Sequence, residues 1–108
     1  MDLTSKQRAY LKGLAMKIDP IMNIGKASIT PELTQSINET FNNRELIKIS
    51  VLKNCLDDPR EIANVVADRT NSTVVQVIGK KIVLYKQAKD EKDRKIVLPK
   101  DKKKTVVD

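Results

Sequence analysis

Apolar residues in this chain follow two periods, and the switches between them outline the fold. Leu11, Leu14, Ala15 and Ile18 recur at i, i+3, i+4 and i+7, the stripe of an amphipathic helix. That helix starts after Thr4, with Gln7 placed for a capping box, and ends at Asp19-Pro20. A short apolar run, Ile21 to Ile24, reads as a strand. Leu33, Ile37 and Phe41 then repeat every four residues and predict a second helix from about Pro31 to Asn42. From Leu46 to Leu52 the period falls to two, with Ile47, Ile49 and Val51 alternating with Lys48 and Ser50, as in a half-buried strand. A third helix spans roughly Pro59 to Arg69, with Ile62, Val65 and Val66 inward. Asp58, Pro59 and Glu61 form its start signal.

Two β-branched runs, Thr73 to Ile78 and Lys81 to Lys86, close the pattern. Gly79-Lys80 between them suits a two-residue hairpin turn with glycine first. The predicted fold class is therefore α/β, in the order α-β-α-β-α-β-β. Alternating helices and strands favour some parallel pairing, and the hairpin adds an antiparallel pair. The hairpin strands are apolar at odd and even positions alike, which predicts helices on both faces of the sheet. Beyond Lys86 the periodicity stops. Residues 1–86 are read as one domain and residues 87–108 as a basic, mobile C-terminal tail. Its one short apolar group, Ile96 to Leu98, is expected to bury too little to offset the entropy of ordering.

Charge changes the picture from fold to partner. The chain carries 21 Lys and Arg against 14 Asp and Glu, a net charge of +7, and such a surface favours polyanions. The chain has no histidine and one cysteine, Cys55. Ser–His and Cys–His nucleophilic systems, histidine-ligated zinc and cysteine-rich zinc are thereby excluded. The pair Asp57-Asp58 could hold a metal in principle, but Asp58 before Pro59 is better explained as a helix cap. No metal, cofactor or small-molecule substrate is expected. Without an apolar run of membrane-spanning length or a signal-peptide core, no membrane contact is expected either, and the chain is read as cytoplasmic and monomeric.

One place concentrates candidate chemistry. The strand Ile21 to Ile24 stops at Gly25, Lys26 follows at once, and Thr30-Pro31 start the next helix. Backbone amides at a turn, a flexible cation and the positive end of a helix are the parts of a phosphate-binding site. Gly25, Lys26, Ala27 and Ser28 are the candidates, with Lys6, Arg8 and Lys12 on the first helix widening the positive surface. The second glycine and the Gly-Lys-Ser/Thr ending of a nucleotide-hydrolysing loop are absent. The plainer reading of Gly25-Lys26 is an ordinary strand-to-helix turn. Only three aromatic residues occur, Tyr10, Phe41 and Tyr85, so backbone and shape recognition should dominate over base stacking.

Leu3-Thr4, Gln7-Arg8, Tyr10-Leu11, Ile24-Gly25-Lys26, Ile29-Thr30, Arg44-Glu45-Leu46-Ile47-Lys48, Gln76-Val77-Ile78-Gly79 and Leu84-Tyr85 together resemble one family. It is that of the YhbY-type RNA-binding proteins, the bacterial stand-alone form of the CRM domain. The resemblance spans residues 3 to 86. It implies a four-stranded mixed sheet with helices, similar to the C-terminal domain of a bacterial translation initiation factor. It also implies binding to structured ribosomal RNA in large-subunit (pre-50S) precursors, as a non-enzymatic ribosome assembly factor, with Gly25, Lys26, Ala27 and Ser28 as RNA contacts. The family's loop is Gly-x-x-Gly; here the fourth position is Ser28, which implies an altered clamp. The alternative is a protein-interaction module that docks on acidic partners without touching RNA.

Overall fold

Three helices and four strands alternate in the computed structural model, which describes residues 2–100. They are α1 (Ser5–Ala15), β1 (Met22–Ile24), α2 (Pro31–Phe41), β2 (Leu46–Val51), α3 (Pro59–Thr70), β3 (Thr73–Ile78) and β4 (Lys81–Tyr85). Each helix begins where a side chain satisfies an otherwise unpaired amide. Thr4 Oγ1 accepts from Gln7 N while Gln7 Oε1 accepts from Thr4 N, both at 3.1 Å, a complete capping box. Thr30 Oγ1 accepts from Leu33 N, and Asp58 Oδ1 from Arg60 N. Asp58 thus has the capping role its sequence context implied.

The strands form one mixed sheet in the order β1-β2-β4-β3. β1 runs parallel to β2, and β4 pairs antiparallel with both β2 and β3. The two faces bury different sets of residues. α2 and α3 cover Ile24, Ile47, Ile49, Val51, Ile82 and Leu84 with Ile37, Phe41, Ile62 and Val66. On the other face, Leu11 and Ala15 of α1 pack on Leu46, Val75, Val83 and Tyr85. The double-sided apolar pattern of the hairpin is therefore a consequence of helices on both sides. One expected core position differs. Val65 is partly exposed, and the inward stripe of α3 is Ile62, Ala63, Val66, Ala67 and Thr70. Val65 lies at the flank of that stripe.

A bulge interrupts β3 between Val74 and Gln76. It resets the alternation, so that Val75 lies on the α1 face while Val77, two residues on, packs with Val74 on the opposite one. β3 is an edge strand, and Arg8 blunts that edge: its Nη1 donates to the carbonyls of Val74 and Val75, each at 2.7 Å.

After β4 the structure departs from the expected mobile tail, at least as far as residue 100. Glu45, 6 % exposed, spends its carboxylate on this segment. Oε2 accepts from Ala88 N at 2.9 Å, and Oε1 accepts from Lys95 N at 2.7 Å and Ile96 N at 3.0 Å. Ile96 and Leu98 pack against the α1-side core, and Gln7 Nε2 donates to Pro99 O. The short apolar group buries little by itself, but it completes a surface the domain already presents. Residues 101–108, the rest of the expected tail, lie outside the described residues.

Candidate nucleic-acid interface

The strand-to-helix loop is a tight turn. Ser28 N donates to Gly25 O at 2.9 Å, which pushes Lys26 and Ala27 to an exposed tip. The residue in left-handed backbone conformation is Ser28, at φ 55°, and not Gly25. A Cβ added to Gly25 would meet Asn54 Oδ1 at 3.5 Å and Leu52 Cδ1 at 3.8 Å, ordinary contacts. Nothing within the protein therefore demands glycine at position 25. The turn is braced from behind, where Leu52 N donates to Ile24 O.

The helix end contributes less than expected. Pro31 has no N–H, and Leu33 N is occupied by Thr30. The Glu32 amide remains in the first turn, and its own side chain places a carboxylate there. The groups left open to solvent at this end are thus the Lys26 ammonium and the amides at the turn tip. No acceptor among the described residues takes the amides of Lys26 or Ala27.

The first helix divides its basic residues. Lys6 and Lys12 are exposed, but Arg8 is half-buried and its Nη1 is committed to β3. The expected outward display of all three holds for the two lysines only. Arg8 also fixes the start of α1 at the β3 edge, opposite the β1 edge that feeds the turn. Three strand spacings, about 14 Å, separate those edges. The turn and the opening of α1 are therefore not one compact patch.

Two lysines missed by sequence reasoning lie between them. Lys48 and Lys81 share the α1-side face of the sheet, beyond the part α1 covers. Lys48 Nζ donates to Ile18 O at 3.2 Å and Lys81 Nζ to Ser50 Oγ at 2.8 Å. Both ammonium groups rest on neutral acceptors, so no contact cancels their charge. The signal was present in the alternation of Lys48 and Ser50 with apolar neighbours. It could not show that a helix would cover only half of that face.

A braced cationic turn beside a partly open, lysine-bearing sheet is what this α/β domain offers a polyanion. The CRS1 / YhbY (CRM) domain model matches residues 3–86, and the chain belongs to that family. It is 40 % identical over 90 residues to the "Probable RNA-binding protein YqeI" of Bacillus subtilis, covering 83 % of this chain and 94 % of the relative. A Haemophilus influenzae protein named "RNA-binding protein" is 33 % identical over 90 residues, covering 83 % and 91 %. The solution structure of SAV1595 from Staphylococcus aureus superposes with a TM-score of 0.75 at 46 % identity, covering 91 % of this chain and all of that one. Among the described residues, no helix is long and apolar enough to cross a membrane.

Proposed function

We propose that this protein binds structured ribosomal RNA in precursors of the large ribosomal subunit and serves there as a non-enzymatic assembly factor, acting as a cytoplasmic monomer. The observation that carries the reading is the exposed Lys26 at the tip of the Gly25–Ser28 turn, in a chain whose relatives are named RNA-binding proteins. The Lys26 ammonium and the tip amides grip phosphate. Lys48 and Lys81 extend the positive surface across the sheet, and Lys6 and Lys12 add charge along α1. Arg8 serves this surface by holding the β3 edge. Most contacts go to the RNA backbone, so affinity depends steeply on salt.

The test is filter binding of large-subunit ribosomal RNA across several salt concentrations. Lys26→Glu is expected to weaken binding and to lower the slope of log K against log salt by about 1. An unchanged affinity at every salt concentration rejects the turn as a contact. Sedimentation of a lysate through a gradient then checks the assembly role: the protein should travel with large-subunit precursors. Travel with protein complexes after ribonuclease treatment would favour a protein-docking module instead.

A further inference from the structure

Beside the C-terminal end of α1 the sheet is left open, and a cleft of about 190 Å³ sits there. Its lining combines Met16, Ile78 and Val83 with Gln76, Lys48 and Lys81. The volume falls below the ~300–1,000 Å³ of ordinary small-molecule sites. Met16 is 82 % and Ile78 59 % exposed, so two large apolar side chains face water on the rim of one small slot. Gln76 is half-buried, and its side-chain amide has no hydrogen-bond partner among the described residues. It offers both a donor and an acceptor.

The register ties this slot to the Gly25–Ser28 turn. Asn23 pairs with Ser50, Ser50 with Lys81, and Lys81 with Ile78, so all four share the α1-side face in one row across the sheet. Asn23 is two residues before Gly25. From Asn23 to Lys81 is two strand spacings, about 10 Å. Lys81 and Lys48 therefore stand between the turn and the slot.

We propose that the slot receives a single unpaired base of the RNA whose backbone crosses the Gly25–Ser28 turn, a proposal that rests on the RNA-binding reading above. The occupant follows from the chemistry of the walls. Apolar side chains meet a flat ring, Gln76 meets its hydrogen-bonding edge, and Lys48 and Lys81 meet the adjoining phosphates. Methionine's polarisable thioether stands where an aromatic platform would, since no aromatic residue lines the slot. The protein would thus favour helical RNA carrying an extruded nucleotide over uninterrupted duplex.

The experiment compares two RNA hairpins with identical stems, one fully paired and one carrying a single bulged 2-aminopurine, titrated with the full chain. The bulged hairpin is expected to bind about tenfold more tightly, with a change in 2-aminopurine fluorescence. In the double variant Met16→Ala/Ile78→Ala, and in Gln76→Leu, that preference and the fluorescence change should be lost while binding to the paired hairpin persists. Retained binding there shows that the variants are folded. Equal affinity of the parent protein for the two hairpins, or an undiminished preference in the variants, overturns the slot. Lys26→Glu separates the two readings: it should weaken both hairpins alike. If it weakens neither while the bulge preference stands, the turn reading falls and the slot survives.

Discussion

Ser28 occupies the one backbone position in the turn where a side chain is costly. A left-handed conformation costs an L-residue about 1–2 kcal/mol. Glycine avoids this but loses about 0.5–1 kcal/mol more on ordering. Ser28→Gly is therefore expected to raise stability by roughly 0.5–1 kcal/mol, read as a higher urea midpoint, and Ser28→Val to lower it. Tyr85 is the second residue with a local imbalance. Its hydroxyl is fully buried with no hydrogen-bond partner among the described residues. Burial foremost, then the Glu45 carboxylate, push the phenol above its ordinary 10.0, against an opposing pull from Arg94. The folded state thus favours the neutral phenol. Stability should be flat through neutral pH and fall as pH rises past about 10, where the unfolded chain begins to release this proton. Tyr85→Phe should remove that alkaline fall and raise stability at neutral pH by about 1 kcal/mol. A parent-like alkaline limb in the variant, followed by circular dichroism, would assign the loss to other groups.

Among the elements, the start of β2 does the most to join distant parts of the chain. Glu45 binds three amides of a segment more than 40 residues away, and it does so where Leu46 and Tyr85 already offer an apolar shelf. Glu45→Ala is expected to cost about 2 kcal/mol, because bonds to a carboxylate are lost while the released amides regain water. Amide exchange at Ala88, Lys95 and Ile96 should accelerate together. Unchanged protection at all three would mean that packing alone holds the segment. The three helices were readable from local cues, since Thr4, Thr30 and Asp58 each sit before an apolar period of 3.6. Glu45 was not. A lone acid before a strand has no period and no cap pattern, and its partners are far away in sequence.

For the whole molecule, the question is where the folding unit ends. The family match stops at residue 86, yet Ile96 and Leu98 are packed on the α1-side core. A chain ending at Lys86 would lose their burial and the three amide bonds to Glu45. Allowing for partial exposure, the burial alone should be worth about 2 kcal/mol, and the lost bonds add to it. The melting temperature should then drop by at least roughly 10 °C, checked by calorimetry on both chains. Equal melting temperatures would return the boundary to residue 86. At the same scale, charge is spread and not gathered. Lys26 stands beyond one edge of the sheet, Arg8 is tied to the other, and Lys48 and Lys81 lie between. A net charge of +7 forecast a polyanion as partner but could not say how the cations would be laid out.

Residue order alone determined the helices, the strands, the hairpin turn and the identity of the loop carrying Lys26. Those features depend on neighbours within a few positions: periodicity, capping side chains, and Gly79 free to take φ 55°. Tertiary structure decided the rest. Only the folded chain shows Arg8 drawn from solvent to a bulged edge, the left-handed strain at Ser28, and Glu45 binding residues 88–96. Only there do Lys48, Gln76 and Lys81 share the uncovered half of a sheet face. Apart from the turn at Ser28, each of these depends on groups far apart in sequence, whose distances are set by strand register and helix packing.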